Sequence, residues 1–166
     1  MMLEQPSIEI ITADLTIPHH ARAVITLMDE YARDPMGGGN GLSDHTKANL
    51  IAELAKRQAA HAILAFVEDR PAGLVICLEG FSTFACQPLL NIHDVIISLV
   101  YRGRGLSKLL LQKVEQIAIE RGCCKLTLEV LEHNYVAQKA YKSAGFNGFE
   151  LNPEMGKALF WEKKLG

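Results

Sequence analysis

The feature that most limits this chain is the stretch Tyr101-Arg102-Gly103-Arg104-Gly105-Leu106-Ser107-Lys108. It joins an apolar strand candidate, Leu90 to Tyr101, to an amphipathic helix over Leu106 to Arg121, whose apolar positions are Leu106, Leu110, Val114, Ile117 and Ala118. Gly122 stops that helix, and Lys125 to Val130 then alternates as another strand. A strand, a crossover helix and a second strand make a parallel, right-handed unit. The chain is therefore α/β. At the turn itself, glycines let backbone N–H groups converge, and the helix start adds unpaired donors and a positive dipole end. Such a turn suits a pyrophosphate. Arg102 and Arg104 add charge, and the plainer reading is a tight turn with solvated arginines. The Walker pattern is absent, and G-x-G-x-x-G fails for want of a third glycine.

The elements around this unit read as follows. Ser7 to Ala13 alternates as a half-buried strand, and Pro18 starts a helix to about Arg33 with Tyr31 on its apolar side. Asp34 to Gly41, with four glycines and a proline, is a loop. Ser43 caps a second helix with Leu50, Ile51 and Leu54 inward. Ala62 to Glu68 and Gly73 to Phe81 form a hairpin about Asp69-Arg70-Pro71, and Ser82 to Pro88 is an irregular connection. Tyr135 to Ala144 is helical and ends at Gly145, and Ala158 to Lys164 reads as a last strand. No linker or repeat interrupts the chain, so residues 1–166 are taken as a single domain.

Composition narrows the function. Seventeen Lys and Arg against 19 Asp and Glu give a net charge of −2, which leaves no polybasic footprint for nucleic acid or an anionic membrane. With 49% hydrophobic and 22% charged residues, disorder, collagen and coiled coil are excluded. No apolar run approaches the roughly 18 residues of a membrane helix, and Met1 to Ile10 lacks a signal-peptide pattern. Cys77, Cys86, Cys123 and Cys124 form no C-x-x-C pair, and no Cys/His spacing suggests a metal site. The expectation is a cytoplasmic protein with reduced thiols and no metal.

A second constellation follows the Lys125–Val130 strand: Asn134-x-x-Ala137-x-x-x-Tyr141-x-x-x-Gly145-Phe146. Asn134 and Tyr141 lie on one helix face about 10 Å apart along its axis, with small Ala137 between them leaving room for an elongated ligand. Taken singly, Asn134 is only a cap, Tyr141 only core and Gly145 only a helix stop. Together, an R-x-x-G-x-[G/A]-like turn followed at this separation by N-x-x-A-x-x-x-Y-x-x-x-G-F resembles the GNAT superfamily of N-acetyltransferases. The resemblance spans the chain in element order, and its specific part runs from Ile92 to Phe146. Ser107 departs from the usual Gly or Ala, but Ser is small and its hydroxyl can donate to a phosphate.

The resemblance implies the GNAT fold: a single mixed, mostly antiparallel sheet with a splayed parallel strand pair, flanked by about four helices. It implies acetyl-CoA as cosubstrate, wedged between strands ending near Ile97–Val100 and at Val130. Backbone groups of Ile96, Ile97 and Leu99 would pair with the pantetheine arm. Arg102, Gly103, Arg104, Gly105, Leu106 and Ser107 would hold the pyrophosphate, Asn134 would contact the pantetheine arm or the phosphate side, and Tyr141 would face the sulfur as general acid. The acetyl group would pass to a primary amine, of a small molecule or a protein, by direct attack in a ternary complex. The absence of a further recognition domain favours the small molecule. A CoA-binding sensor of the same fold that no longer transfers acyl groups is the alternative, and retention of Tyr141 speaks for the enzyme. A homodimer is expected only by analogy.

Candidates for the general base are Asp94, Glu79, His93 and Glu132, with bulk water beside them. Asp94 leads because its strand runs to the cofactor turn. His93 would point to the opposite face of a regular strand, and either residue could instead be a satisfied core group. Glu79, Phe81, Phe84 and Asp94 are candidates for the acceptor pocket, with core packing an equal reading of the aromatics. The loop Asp34–Gly41 reads as a lid or a plain connection. Asp29, Glu30 and Asp34 would suit a cationic amine, although a solvated acidic helix end explains them as well.

Overall fold

The computed structural model describes residues 6–165. Five strands form one sheet in the order β1-β2-β3-β4-β5: β1 Ile8–Thr12, β2 Ala60–Val67, β3 Arg70–Ser82, β4 Gln87–Ile97 and β5 Leu126–Leu128. Pairs from β1 to β4 are antiparallel and β4–β5 is parallel. The helices are α1 Pro18–Arg33, α2 Asp44–Ala55, α3 Leu106–Glu120 and α4 Tyr135–Ser143. This is the mixed sheet with one parallel pair and four helices that the sequence implies.

β2 shows why two layers cover the sheet. Its residues alternate faces, and both faces are apolar. Ile63 and Ala65 pack with Val75, Cys77, Leu90 and Ile92 under Leu110, Val114 and Ile117 of α3. Leu64 and Phe66 pack with Leu74, Ile76 and Ile96 under Ala23, Val24 and Leu27 of α1. The β2–β3 hairpin turns at Glu68 and Asp69, both at positive φ, the pattern of a tight two-residue turn. The turn therefore lies at Glu68 and Asp69 rather than at the expected Asp69–Pro71. Pro71 instead lies in β3 beside a bulge, where its missing N–H is tolerated.

Four further expectations are corrected. β4 ends at Ile97 rather than Tyr101: Leu99–Tyr101 form a 3-10 turn, closed by the Tyr101 N–H on the Ser98 carbonyl at 2.9 Å. β5 is three residues long rather than six, because its ladder with β4 covers only Leu90–Ile92 against Leu126–Leu128. The irregular connection expected over Ser82–Pro88 narrows to the four-residue turn 83–86, with Cys86 at φ 52°, because Ser82 and Gln87 pair as the ends of β3 and β4. Ala158–Lys164 forms no strand, and Leu159, Phe160 and Trp161 are 73–81% exposed. An apolar run such as Ala158–Trp161 can suit a strand, but a strand also needs an edge to receive it. In the loop after α1, Asp34 caps a 3-10 turn at Pro35–Gly37 by accepting the Met36 N–H at 2.9 Å.

Candidate functional site

The site arises from a one-residue irregularity in β4. Ile76 of β3 faces Asp94 and Cys77 faces Ile92, so His93 is an extra, bulged residue. A bulge reverses the side-chain alternation beyond it. Leu90 and Ile92 point to the α3 face before the bulge, while Ile96 points to the α1 face after it and Val95 and Ile97 join the α3 side. The hydrogen-bonding edges shift in step. The Leu90 N–H bonds the Lys125 carbonyl on the β5 side at 3.1 Å, and the Ser98 N–H bonds Ala72 of β3 at 2.9 Å. Counting back from Ser98, Ile96 turns its amide groups to β3, and Val95 and Ile97 turn theirs away from it. β5 has already parted from β4 at Ile92, so those groups border an open gap.

The gap belongs to a cavity of about 590 Å³. Val95, Ile96 and Ile97 form one wall; Asn134, Ala137, Ala140 and Tyr141 of α4 form another; Tyr31, Asp34 and Met36 close it from the α1 side. The cofactor-type turn, Arg102 to Ser107, lies at its end. Gly103 and Gly105 have φ of 76° and 79°, a backbone state L residues resist. A Cβ at either position would meet nothing within 4 Å, so conformation rather than space demands glycine. The intrahelical bonds of α3 begin with Lys108 N–H on the Gly105 carbonyl at 3.1 Å, which leaves the Leu106 and Ser107 amides as first-turn donors.

The arginines are not loose charges. Arg102 donates from Nε to the Ile97 carbonyl at 3.1 Å and from Nη2 to Asp34 Oδ2 at 2.9 Å. Arg104 lies over the Tyr101 ring, 5.5 Å from its centroid. The acids near the end of α1 are likewise engaged. Asp29 holds Arg33, Lys47 and the Leu42 N–H, and Glu30 accepts the Leu99 N–H at 2.7 Å. They act as clamps, which is neither the cation-attracting approach nor the solvated helix end that composition suggests. Leu99 consequently lies outside the strand with its amide already occupied.

Asn134 caps α4 by accepting the Ala137 N–H at 3.2 Å and lines the cavity as well. Tyr141 meets Phe146 edge-on at 6.0 Å between centroids. Burial pushes its phenol up to about 12, with Tyr31 adding to the shift, so it keeps its proton at neutral pH. Asp94 is half-buried, and burial raises its carboxyl above the usual range, partly offset by His93. The bulge removes the premise that His93 and Asp94 sit on opposite faces of a regular strand; His93 is exposed.

Two sequence candidates lie elsewhere. Glu79 is ion-paired with Arg121 at the end of α3, which holds its carboxyl low, and it shares the α3 face with Cys77, opposite to Asp94. Phe84 is fully exposed on the β3–β4 turn, and the ten residue steps from Gln87 to Ile97 put it roughly 33 Å from the cofactor end of the strand. Glu132 is exposed. The sequence offers no signal for Tyr31 as a cavity residue, since helical spacing marks it only as apolar-facing. Among the described residues no group of three His, Cys, Asp or Glu side chains could hold a metal ion.

Comparison with known proteins agrees with this geometry. The profile of the acetyltransferase (GNAT) family matches residues 24–146. A thialysine N-epsilon-acetyltransferase of Caenorhabditis elegans is 26% identical over 129 residues, 78% of each chain. Among solved structures, a probable acetyltransferase superposes with a TM-score of 0.80 at 21% identity, covering 95% of this chain and 99% of that one. An aminoglycoside acetyltransferase from an uncultured soil metagenomic sample, in complex with sisomicin, gives 0.77 at 14% identity, with 96% and 97% covered. The matched profile spans both the cofactor-type turn and α4, and the chain belongs to the GNAT family of acetyltransferases, an acyltransferase enzyme.

Proposed function

We propose that this chain transfers the acetyl group of acetyl-CoA to a primary amine of a small molecule, by direct attack in a ternary complex. The observation that carries the reading is the cavity that brings half-buried Tyr141 of α4 together with the parted edge of β4 at Val95–Ile97 and the glycine turn that follows; half-buried Asp94 is the β4 residue just before that edge. The residues fit acetyl-CoA. The outward amide groups of Val95 and Ile97 suit an extended pantetheine arm, which adds to a sheet edge as a strand does. The Leu106 and Ser107 amides at the start of α3 suit the pyrophosphate. Bound acetyl-CoA supplies an activated thioester carbonyl.

The chain's own groups do the rest. Asp94 takes the proton that the amine nitrogen loses as the N–C bond forms. A backbone N–H on the gap edge of β4 faces the developing oxyanion. As the C–S bond breaks, the Tyr141 hydroxyl donates to the sulfur; a phenol with a pKa near 12 stays protonated for that task. A small aminoalkyl acceptor accords with the thialysine acetyltransferase of C. elegans among its relatives. No helix among the described residues is long and apolar enough to cross a membrane, and the cytoplasm, where acetyl-CoA is available, is the proposed setting.

The test is thiol release from acetyl-CoA over polyamines, aminoglycosides, amino acids including thialysine, and peptide N-termini. Turnover on a small amine, lost in Tyr141→Phe with CoA binding retained, is the expected result. Turnover only on peptides would overturn the small-molecule acceptor, and absence of CoA binding would overturn the reading as a whole.

A further inference from the structure

The Ile97 carbonyl is claimed twice. It is one of the gap-edge groups of β4 that suit a strand-like pantetheine arm, and the Arg102 Nε–H already donates to it at 3.1 Å. The same guanidinium donates from Nη2 to Asp34 Oδ2 at 2.9 Å. Ile97 belongs to the β4 wall of the cavity and Asp34 to its α1 side. One planar cation therefore reaches from wall to wall beside Gly103 and Gly105, at the turn end of the cavity. Both of its ends are anchored. Asp34 uses its other oxygen to accept the Met36 N–H at 2.9 Å, and Glu30, four residues earlier, holds the Leu99 N–H just beyond Ile97 at 2.7 Å. A carbonyl oxygen can accept twice, but a second donor here must share the gap with a guanidinium held at both edges.

What could move Arg102 is decided by charge. The N–H of an uncharged arm only exchanges one hydrogen bond at Ile97 for another and leaves the Arg102 Nε–H without its partner. A diphosphate at the Leu106 and Ser107 amides does more, since its anionic oxygens offer the guanidinium a bidentate, charge-assisted partner. The Arg102 side chain is half exposed, so it can swing without disturbing the core. Arg104, the other cation of the turn, lies over the Tyr101 ring and makes no contact with Ile97 or Asp34.

We propose that Arg102 is a specificity-determining residue, which occupies the Ile97 carbonyl until a diphosphate draws it away, so that the gap favours a pantetheine thioester bearing a nucleotide over the same thioester without its phosphates. This rests on the reading of the gap as the acetyl-CoA site. It follows that the two ends of the cosubstrate help each other to bind, because the phosphates release a backbone acceptor that the arm then uses.

The experiment measures equilibrium binding of acetyl-CoA and of S-acetylpantetheine, which lacks the phosphates, to the full chain and to Arg102→Met. In the variant acetyl-CoA binds more weakly, whereas S-acetylpantetheine binds about three- to tenfold more tightly, the gain from one hydrogen bond no longer contested. A second measurement needs no substitution: saturating inorganic pyrophosphate tightens S-acetylpantetheine binding to the parent and leaves that of the variant unchanged. S-acetylpantetheine affinity that is equal or weaker in Arg102→Met overturns the proposal, because Arg102 then serves only the phosphates or the shape of the turn. A parent affinity for S-acetylpantetheine that ignores pyrophosphate overturns it as well. A parent chain that binds neither thioester overturns the acetyl-CoA reading itself, and this proposal with it.

Discussion

Arg102 and Asp34 join the two halves of the site: Nη2 of the first lies 2.9 Å from Oδ2 of the second, 68 residues away in sequence. One end of the bond belongs to the cofactor-type turn and the other to the loop that closes the cavity from the α1 side. Because Asp34 is tied to Arg102 and to the Met36 N–H, its carboxyl is held below the usual range. A carboxyl with a lowered folded pKa adds stability above its unfolded pKa and loses it as pH falls through the folded value. The loop should therefore loosen only in acid, below the ordinary Asp range near 3.9.

Breaking that pair should affect both substrates. Arg102→Ala and Asp34→Ala should each weaken CoA binding and raise the amine KM several-fold. A double-mutant cycle should show coupling of about 0.5–1 kcal/mol, since the pair is half exposed on the Arg side. Independent effects that simply add would mean the two regions work apart.

Tyr141→Phe should lower kcat by about 100-fold or more, the range of a lost general acid, with CoA affinity within twofold. The parent should show no basic limb in kcat from this residue below about pH 11, since its phenol lies near 12. Stopped-flow thiol detection across pH checks both.

Asp94→Asn should separate activity from stability. Burial raises the Asp94 carboxyl, so the native state binds its proton more readily than the unfolded chain. Its favourable contribution is present below the unfolded pKa and is lost as pH rises through the folded one. Once ionised, the Asp94 carboxylate is thus a destabilising group. The variant should have a higher Tm than the parent at pH 7, no such advantage at pH 3, and kcat reduced by about 100-fold.

Glycine replacements should distinguish two kinds of constraint. Gly105→Ala meets no neighbour but must hold φ 79°, a cost of about 1–2 kcal/mol, together with weaker CoA binding. Gly37→Ala would drive a Cβ into the Tyr31 carbonyl, so the loop itself must move. Its amine KM should rise more than its CoA Kd. Glu79→Gln is the control: it loses only the ion pair with Arg121 and should leave turnover unchanged.

Elements whose signal is local were legible in sequence. α3 carries its apolar stripe and its flanking glycines within twenty residues, and Asn134 to Phe146 carries its cap and stop. What could not be read depends on pairing. Nothing in the residues Ile92-His93-Asp94 says that His93 bulges, because a bulge is a mismatch between two strands and not a property of one. The same holds for Glu30 on the Leu99 amide and Asp34 on Arg102, contacts made across almost seventy residues. Glu79 looked like a plausible base until the fold placed Arg121 beside it. Ala158–Lys164 opens with the apolar run of a strand, but its place depends on an edge that its own sequence does not describe.

The parting of β4 and β5 leaves unsatisfied ladder groups inside the sheet, which is the hazard that exposed edges present to any β protein. Here the Arg102 side chain plugs one of them, the Ile97 carbonyl. A strand-like ligand in the slot would complete the row more fully than one guanidinium can. The cosubstrate would then have a second job besides carrying the acetyl group: it would shield an adhesive backbone from other chains. Cells depleted of it should find this protein harder to keep in solution.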